Sequence, residues 1–504
     1  VSLWLAAART ALAPAARRLG RALEQPDRAQ ADVRRAVATD LARTAYGRSL
    51  GVRGPDDLDA RVPVVSWEQL APWLARQREE EGQVLLAERV LFYEKTSGST
   101  GPAKYVPYTA TLRRTYSRMF AAWVHDLLAR GPKLHTGQLY FSVSPSFAPA
   151  ESTAQGVAVG TADDRDYLEG WLRPLLSRVV VTPPGLGRER DVATYYRRLA
   201  TALVAAPDLE VISVWSPSAL LVLLDWMRDH ADVLGSPALV EVARGGAPWS
   251  SVWPALRLIS CWDRGGAAPL ARRVAALFPG VRVQGKGLLA TEAPVTIPWI
   301  GAPAPVPLVS DVLVELEADD GRLLPLVDAV EGTEYRVVVS PRGGLVRYAL
   351  GDRVVATGRV GQTPCLDFVG RGGVVSDLVG EKLSEAWVAQ LIGALELGPS
   401  VGAALVPVRT PHDHYVLVVD GLDGVTPARL LALAEAVEVA LSAAHHYRHA
   451  RALGQLAPAR VVAQRGALEW LRAAEARRGV AWGNIKDRVL VTIPADAALS
   501  EQLV

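Results

Sequence analysis

Nine consecutive residues, Thr96-Ser-Gly-Ser-Thr-Gly-Pro-Ala-Lys104, bring together four hydroxyls, two glycines and a lysine. That mixture suits phosphate. Gly98 and Gly101 let the backbone adopt positive φ and approach a ligand closely. Successive amide N–H groups, with the hydroxyls of Thr96, Ser97, Ser99 and Thr100, can wrap phosphate oxygens as a nest, and Lys104 adds positive charge. The spacing is not that of a Walker A loop. A polar surface turn has the same composition. Lysine usage argues for a site: of 55 Lys and Arg in the chain, only six are Lys. Where Arg fills the ordinary basic positions, a retained Lys marks a place that needs a compact charge on a flexible stem. Lys95 and Lys104 flank the loop, and Lys286, Lys382 and Lys486 fall in the other motifs; Lys133 sits in an ordinary Gly-Pro loop.

Three further clusters carry chemistry. Gln284-Gly-Lys-Gly-Leu-Leu-Ala-Thr-Glu292 follows a β-prone run. Glu292 is a hard oxygen ligand suited to Mg²⁺ and Thr291 can donate to a phosphate oxygen, a pairing that points to nucleotide chemistry; a solvated Thr-Glu turn reads the same. Arg347-Tyr-Ala-Leu-Gly-Asp352 ends in a Gly-Asp corner at a strand end, where a carboxylate can accept two sugar hydroxyls. Asp367-Phe-Val-Gly-Arg371 can hold phosphate or ribose from the other side, although a surface Asp–Arg pair is the plainer alternative and contributes little. Gly479-Val-Ala-Trp-Gly-Asn-Ile-Lys486 carries the last lysine. His445, His446 and His449 read as the solvated end of a long helix, because no acid accompanies their i,i+4 spacing, and His412 and His414 as turn residues. Cys261 beside Trp262 reads as a core residue, and no G-x-S-x-G signature is present.

The elements that must position these clusters alternate in type. Residues 1 to 45 read as helices, the first amphipathic and packed on the body; its Arg-rich, acid-poor character is also that of a transit peptide. Ser66 caps a helix beginning at Trp67, and a long helix covers about 109 to 130. Strands are expected at 139–143, 179–182, 209–215, 256–261 and 281–284, with helices opening at Ser216-Pro217 and covering 268–278: an α/β sheet with helices on its faces. From about 305 to 375 short strands at 312–317, 334–339, 344–348 and 353–356 predict a mostly antiparallel subdomain. A small α+β unit follows, with strands at 403–408, 414–419 and 460–462 and helices at 427–443 and 466–477. The domain reading is thus 1–381 and 382–504. A chain of 504 residues, half of them hydrophobic, supports a large core. A net charge of +2 gives no case for nucleic acid or an anionic membrane. Two cysteines far apart match a reducing, cytoplasmic compartment, and no apolar run spans a bilayer.

In this order and spacing the motifs resemble the GH3 acyl-acid amido synthetase family of the adenylate-forming superfamily, and look more like its bacterial than its plant branch. The resemblance runs over nearly the whole chain and is closest at 96–104, 214–218, 258–263, 284–292, 347–352 and 483–486. It implies a large N-terminal adenylate-forming domain with a small mobile C-terminal domain turning about a hinge near 380–383. It implies ATP and Mg²⁺: the loop Thr96, Ser97, Gly98, Ser99, Thr100 and Gly101 on the phosphates, Thr291 on the α-phosphate, Glu292 on the metal, Asp352 on the ribose with Arg371 nearby, and Lys104 and Lys486 as stabilisers of developing charge. Leu288 stands where relatives stack an aromatic on adenine, and Lys382 belongs to the nucleotide-contacting joint, with Glu381 an equal candidate for its pivot. Asn484 replaces the family's usual Asp. The implied reaction joins a small carboxylic acid to an amine, such as an amino acid, through an acyl-adenylate; coenzyme A as acceptor and an inactive nucleotide-binding homologue are the alternatives. The acid pocket is expected between the helix after the first loop and the segments at 213–215 and 261–264. Oligomeric state is not readable.

Overall fold

The computed structural model describes residues 3–96, 104–142, 151–153, 155–160, 170, 177–189, 191–372, 374–379, 381–398, 401–409, 412–422, 424–452, 454–477 and 487–503. Four short runs, Leu139–Phe141, Val211–Ser213, Leu258–Ser260 and Arg282–Gln284, form one wholly parallel sheet in that order. Three of them are almost entirely apolar because both faces are covered. Leu139, Val211 and Leu258 join the main core with Phe120, Trp123 and Leu127 of the helix Ala110–Arg130. Tyr140, Ile212 and Ile259 join a second core with the helices Val192–Val204, Pro217–Asp229 and Ala268–Leu277. The expected strand at 179–182 contributes only a bridge to Leu139, since Pro183 and Pro184 end its capacity to donate.

The helix Ala110–Arg130 begins where Thr109 accepts the Leu112 amide through its hydroxyl at 3.1 Å, an N-cap that fixes the helix directly after a strand. Against it packs the N-terminal helix Leu3–Glu24, whose Leu5, Leu12, Leu19 and Leu23 form one buried stripe. No helix among the described residues is long and apolar enough to cross a membrane.

The β-rich region is a five-stranded antiparallel sheet, ordered Leu323–Pro325, Val312–Glu317, Glu334–Pro341, Tyr348–Val360, Thr363–Arg371. The two strands expected at 344–348 and 353–356 are one, Tyr348–Val360. Gly351, at φ 78°, absorbs the kink inside the strand, so Asp352 lies within it and not at its end.

The C-terminal sheet pairs Gly402–Val408 with His414–Asp420 antiparallel and adds Arg460–Ala463 parallel to the second. Ala404, Val406, Val416 and Val418 face the second core; Leu405, Tyr415, Leu417 and Val419 face a third, with Val388, Val437 and Tyr447. The long helix stops at Leu441, and a turn separates it from a new helix, His445–Ala452. The three histidines therefore do not end the long helix, and their side chains lie outside the described residues.

Candidate active site

The phosphate-loop candidate closes a hairpin. Val90–Thr96 pairs antiparallel with Lys104–Thr109, and Thr96 is the register partner of Lys104. Ser97, Gly98, Ser99, Thr100 and Gly101 lie outside the described residues, as does the side chain of Thr96. Lys104 is described: its Nζ lies 3.5 Å from the Tyr348 hydroxyl and 5.4 Å from the Trp67 ring centre. Tyr348 belongs to the Arg347–Asp352 cluster, so the first and third clusters meet at this corner.

The first and second clusters meet through two tyrosines that sequence reasoning did not single out. Tyr108, stacked on Phe92 at 4.7 Å, donates to the Thr291 carbonyl at 2.8 Å. Tyr116, on the 110–130 helix, donates to the Ala290 carbonyl at 2.5 Å and approaches that of Thr291 at 3.1 Å. Burial raises the Tyr116 phenol far above its ordinary pKa, so it remains a donor. The only signal in the sequence was two tyrosines following the loop at helical and strand positions.

The segment 284–292 owes its glycines to packing. A Cβ on Gly287, where φ is 73°, would meet the Thr296 carbonyl oxygen at 2.6 Å, and one on Gly285 would overlap the Asp263 carboxylate. Leu288 is buried in the main core, and its amide donates to Thr296 Oγ1 at 2.7 Å. Glu292 is only 7% exposed, with no hydrogen-bond or ion-pair partner among the described residues. A buried carboxylate without a protein partner calls for a cation. No group of three His, Cys, Asp or Glu side chains among the described residues could hold a metal by itself. A hard cation here would take Glu292 together with oxygens of a bound ligand and water, the mode in which Mg²⁺ is ordinarily held.

Asp352 is buried and is the cross-strand partner of Arg371, whose side chain lies outside the described residues. Four residues before Arg371, Asp367 accepts from Arg264 Nε at 2.7 Å, and Arg264 also reaches Asp263 at 3.2 Å. Burial and the nearby Asp367 raise the Asp263 carboxyl above the usual range, against the lowering effect of Arg264. Arg347 is structural. Its guanidinium makes a fork to both oxygens of Glu315, at 3.2 and 3.1 Å, and donates to the carbonyls of Leu58, Asp59 and Val62.

Lys486 lies outside the described residues. Its neighbour Asp487 does not: one oxygen accepts two N–H groups of Arg472 at 3.2 and 3.1 Å, and the other accepts from the Ser216 hydroxyl. The segment after Lys486 is thus tied to the 214–218 motif beyond the strand Val211–Ser213. At the joint, the Glu381 carboxylate is buried, accepts the amides of Leu378 and Val379 at 2.7 and 2.9 Å, and accepts from the Tyr415 hydroxyl. Lys382 is exposed, with φ 49°. Cys261 and Cys365 are free and buried, and burial pushes the Cys261 thiol up to about 12, which removes it as a nucleophile.

Two family descriptions match this chain: the GH3 family N-terminal domain over residues 15–236 and the GH3 family central domain over 311–371. The chain belongs to the GH3 family. The two matched spans contain the 96–104 loop, the 214–218 motif, Asp352 and Arg371; the 284–292 segment and Lys486 lie outside them. A human GH3 domain-containing protein is 26% identical over 355 residues, 65% of this chain and 63% of that one, so the chain spans less than two thirds of that relative. A rice (Oryza sativa subsp. japonica) protein named as a probable indole-3-acetic acid-amido synthetase is 25% identical over 450 residues, 72% of each chain. Among solved structures, a GH3 acyl acid amido synthetase in complex with 2,4-DB superposes with a TM-score of 0.82 at 19% identity, over 98% of this chain and 95% of that one. A 2-hydroxyisobutyryl-CoA ligase in the postadenylation state gives 0.56 at 15% identity, over 95% and 91%. This GH3 chain therefore has the adenylate-forming fold.

Proposed function

We propose that this GH3 protein is an ATP-dependent ligase that activates a small carboxylic acid as its acyl-adenylate and passes the acyl group to an amine, most simply an amino acid, forming an amide. The observations that carry the reading are the contacts joining three of the motifs: Lys104 meets Tyr348 of the 347–352 cluster, and Tyr108 and Tyr116 hold the Ala290 and Thr291 carbonyls of the 284–292 segment. ATP supplies the electrophilic phosphorus and the pyrophosphate leaving group, and Mg²⁺ neutralises phosphate charge.

The chain's residues position and neutralise. Residues 96–101 and Lys104 hold the phosphates, and Asp352 with Arg371 holds the ribose. Tyr108 and Tyr116 pin the backbone carbonyls of Ala290 and Thr291, which fixes the Thr291 hydroxyl for the α-phosphate and the Glu292 carboxylate for the metal. Leu288 is the apolar neighbour of the base. Catalysis of the first step is orientation plus charge neutralisation in a site that excludes water, for which lysines and a divalent cation are suited tools. Lys486 supplies the last positive charge, and the Ser216–Asp487–Arg472 contact keeps the segment behind it close to the parallel sheet.

The domains divide at the joint, 1–381 and 382–504. Glu381 is clamped in place, and Lys382 is the residue whose backbone turns when the small domain rotates between the half-reactions. Acid-dependent exchange of labelled pyrophosphate into ATP, without acceptor, tests the first step. Adding amino acids or coenzyme A separately then tests the second. Thioester but no amide would replace the acceptor in this reading, and no exchange by folded, ATP-binding protein would overturn it.

A further inference from the structure

Lys286 has no role in the chemistry above. It is 9% exposed, yet no carboxylate faces it among the described residues. Its ammonium donates to Ser213 Oγ at 2.8 Å and lies 5.7 and 5.2 Å from the ring centres of Trp123 and Trp215. An ammonium carries three donors, and one acceptor is supplied. Burial pulls its pKa from 10.5 down to about 8.

A second, independent group points the same way. Ser213, Ser260 and Gln284 are register partners at the carboxyl ends of three adjacent parallel strands, so their side chains share one face of the sheet. That face is the one toward the 110–130 helix, since Trp123 Nε1 donates to Gln284 Oε1 at 3.0 Å. Within the row the Ser260 hydroxyl is buried and has no hydrogen-bond partner among the described residues. The carboxyl ends of parallel strands are where open α/β sheets bind ligands.

The same helix supplies a ruler. Tyr116 holds the Ala290 and Thr291 carbonyls, and Trp123, seven residues on, faces Gln284 and Lys286. Seven residues of helix span about 10 Å. A reacting carboxylate beside Thr291 therefore has its far end, one ring and a short stem away, near Lys286.

We propose that Lys286, with Ser213 and Ser260, forms a polar subsite at the deep end of the acid pocket that accepts a carboxylate or hydroxyl on the far side of an aromatic acid. This rests on the adenylating reading for the location of the reacting carboxylate, and adds to it a substrate class: aryl acids with an acceptor distal to the carboxyl that reacts. Trp123 and Trp215 pack on the ring, and the ammonium satisfies its remaining donors on the acceptor.

The test compares phenylacetate, 4-hydroxyphenylacetate and 4-carboxyphenylacetate in pyrophosphate exchange, with wild type, Lys286→Met and Lys286→Gln. Charge-assisted hydrogen bonds support a preference of about ten- to a hundredfold. Wild type should favour 4-carboxyphenylacetate over phenylacetate by at least about tenfold in kcat/KM, expressed in KM. Lys286→Met should bring that ratio to about one, and Lys286→Gln should recover the hydroxy acid better than the dicarboxylate. Raising pH through about 8 should weaken the wild-type preference; Cys261, the titratable neighbour, stays neutral in this range. A ratio unchanged by Lys286→Met, or a wild-type preference for phenylacetate, overturns the proposal. Equilibrium binding of the same acids without ATP, read by tryptophan fluorescence, separates the two readings. If no acid supports exchange, at least tenfold tighter binding of 4-carboxyphenylacetate to wild type than to Lys286→Met sustains the subsite, and equal binding removes it.

Discussion

Two buried cations in this protein have opposite surroundings. Arg347, 7% exposed, sits between the N-terminal helices and the antiparallel sheet, where Glu315 and three backbone carbonyls take up its donors. Lys286, 9% exposed, sits at the edge of the parallel sheet with one hydroxyl and two aromatic rings. The contrast extends to acids: Glu315 is matched by Arg347, whereas Glu292, six residues beyond Lys286, has no partner among the described residues. A buried charge that the protein saturates is part of the scaffold. One left unsaturated is held ready for something that binds.

The largest expected effect breaks or sustains that contrast directly. Arg347→Met strands Glu315 and should cost about 3–5 kcal/mol in urea unfolding. Lys286→Met removes an unmatched charge and should be neutral or stabilising in the same measurement; equal losses would abolish the distinction. Next is Lys486→Ala, which removes the cation proposed above to complete charge neutralisation in the first step. It should lower pyrophosphate exchange about 10²- to 10³-fold with ATP affinity nearly intact, and a wild-type exchange rate would mean another lysine does this work. Tyr415→Phe takes a donor from buried Glu381, a saturated acid, and should cost about 1–3 kcal/mol in stability; no loss would mean the clamp at the joint is idle. Glu292→Gln should leave stability almost unchanged while raising the Mg²⁺ needed for half-maximal exchange roughly tenfold; an unaltered Mg²⁺ curve would take Glu292 out of the metal site. Per pH unit the smallest effect is that of titrating Lys286. Between pH 8 and 10.5 the unfolded chain keeps the Lys286 proton and the folded chain has lost it. Wild type should therefore gain on Lys286→Met by about 1 kcal/mol per pH unit in thermal or urea unfolding.

Much of the scaffold is legible in the sequence alone. The helix Ala110–Arg130 is announced by Thr109 and closed by Gly131, and the strands of the parallel and C-terminal sheets are apolar runs of strand length. Local signals suffice where a cap or a period dictates the backbone. They failed where neighbours did: Gly351 reads as a turn, yet pairing of Ala349 and Arg353 with the strand Glu334–Pro341 keeps Tyr348–Val360 one strand with a kink at the glycine, and the run ending at Thr182 reads as a strand but is cut off by Pro183 and Pro184 after one bridge to Leu139. Lysine scarcity marks Lys286 in the sequence, but nothing local shows that Arg347 is answered by acceptors and Lys286 is not; that difference lies in what the fold brings to each.

The sequence by itself determined the family and the order of most elements, and it nominated a small set of lysines, threonines and acids for the chemistry, because these are properties of residue type and spacing. Tertiary structure alone decided which of those charges are answered. Tyr108 and Tyr116 reach 183 and 174 residues along the chain to hold the 290–291 carbonyls, Ser213 comes 73 residues to meet Lys286, and Glu315 comes 32 to meet Arg347. Whether a buried charge is matched depends on what the fold brings within about 3 Å of it, and no local pattern encodes that distance.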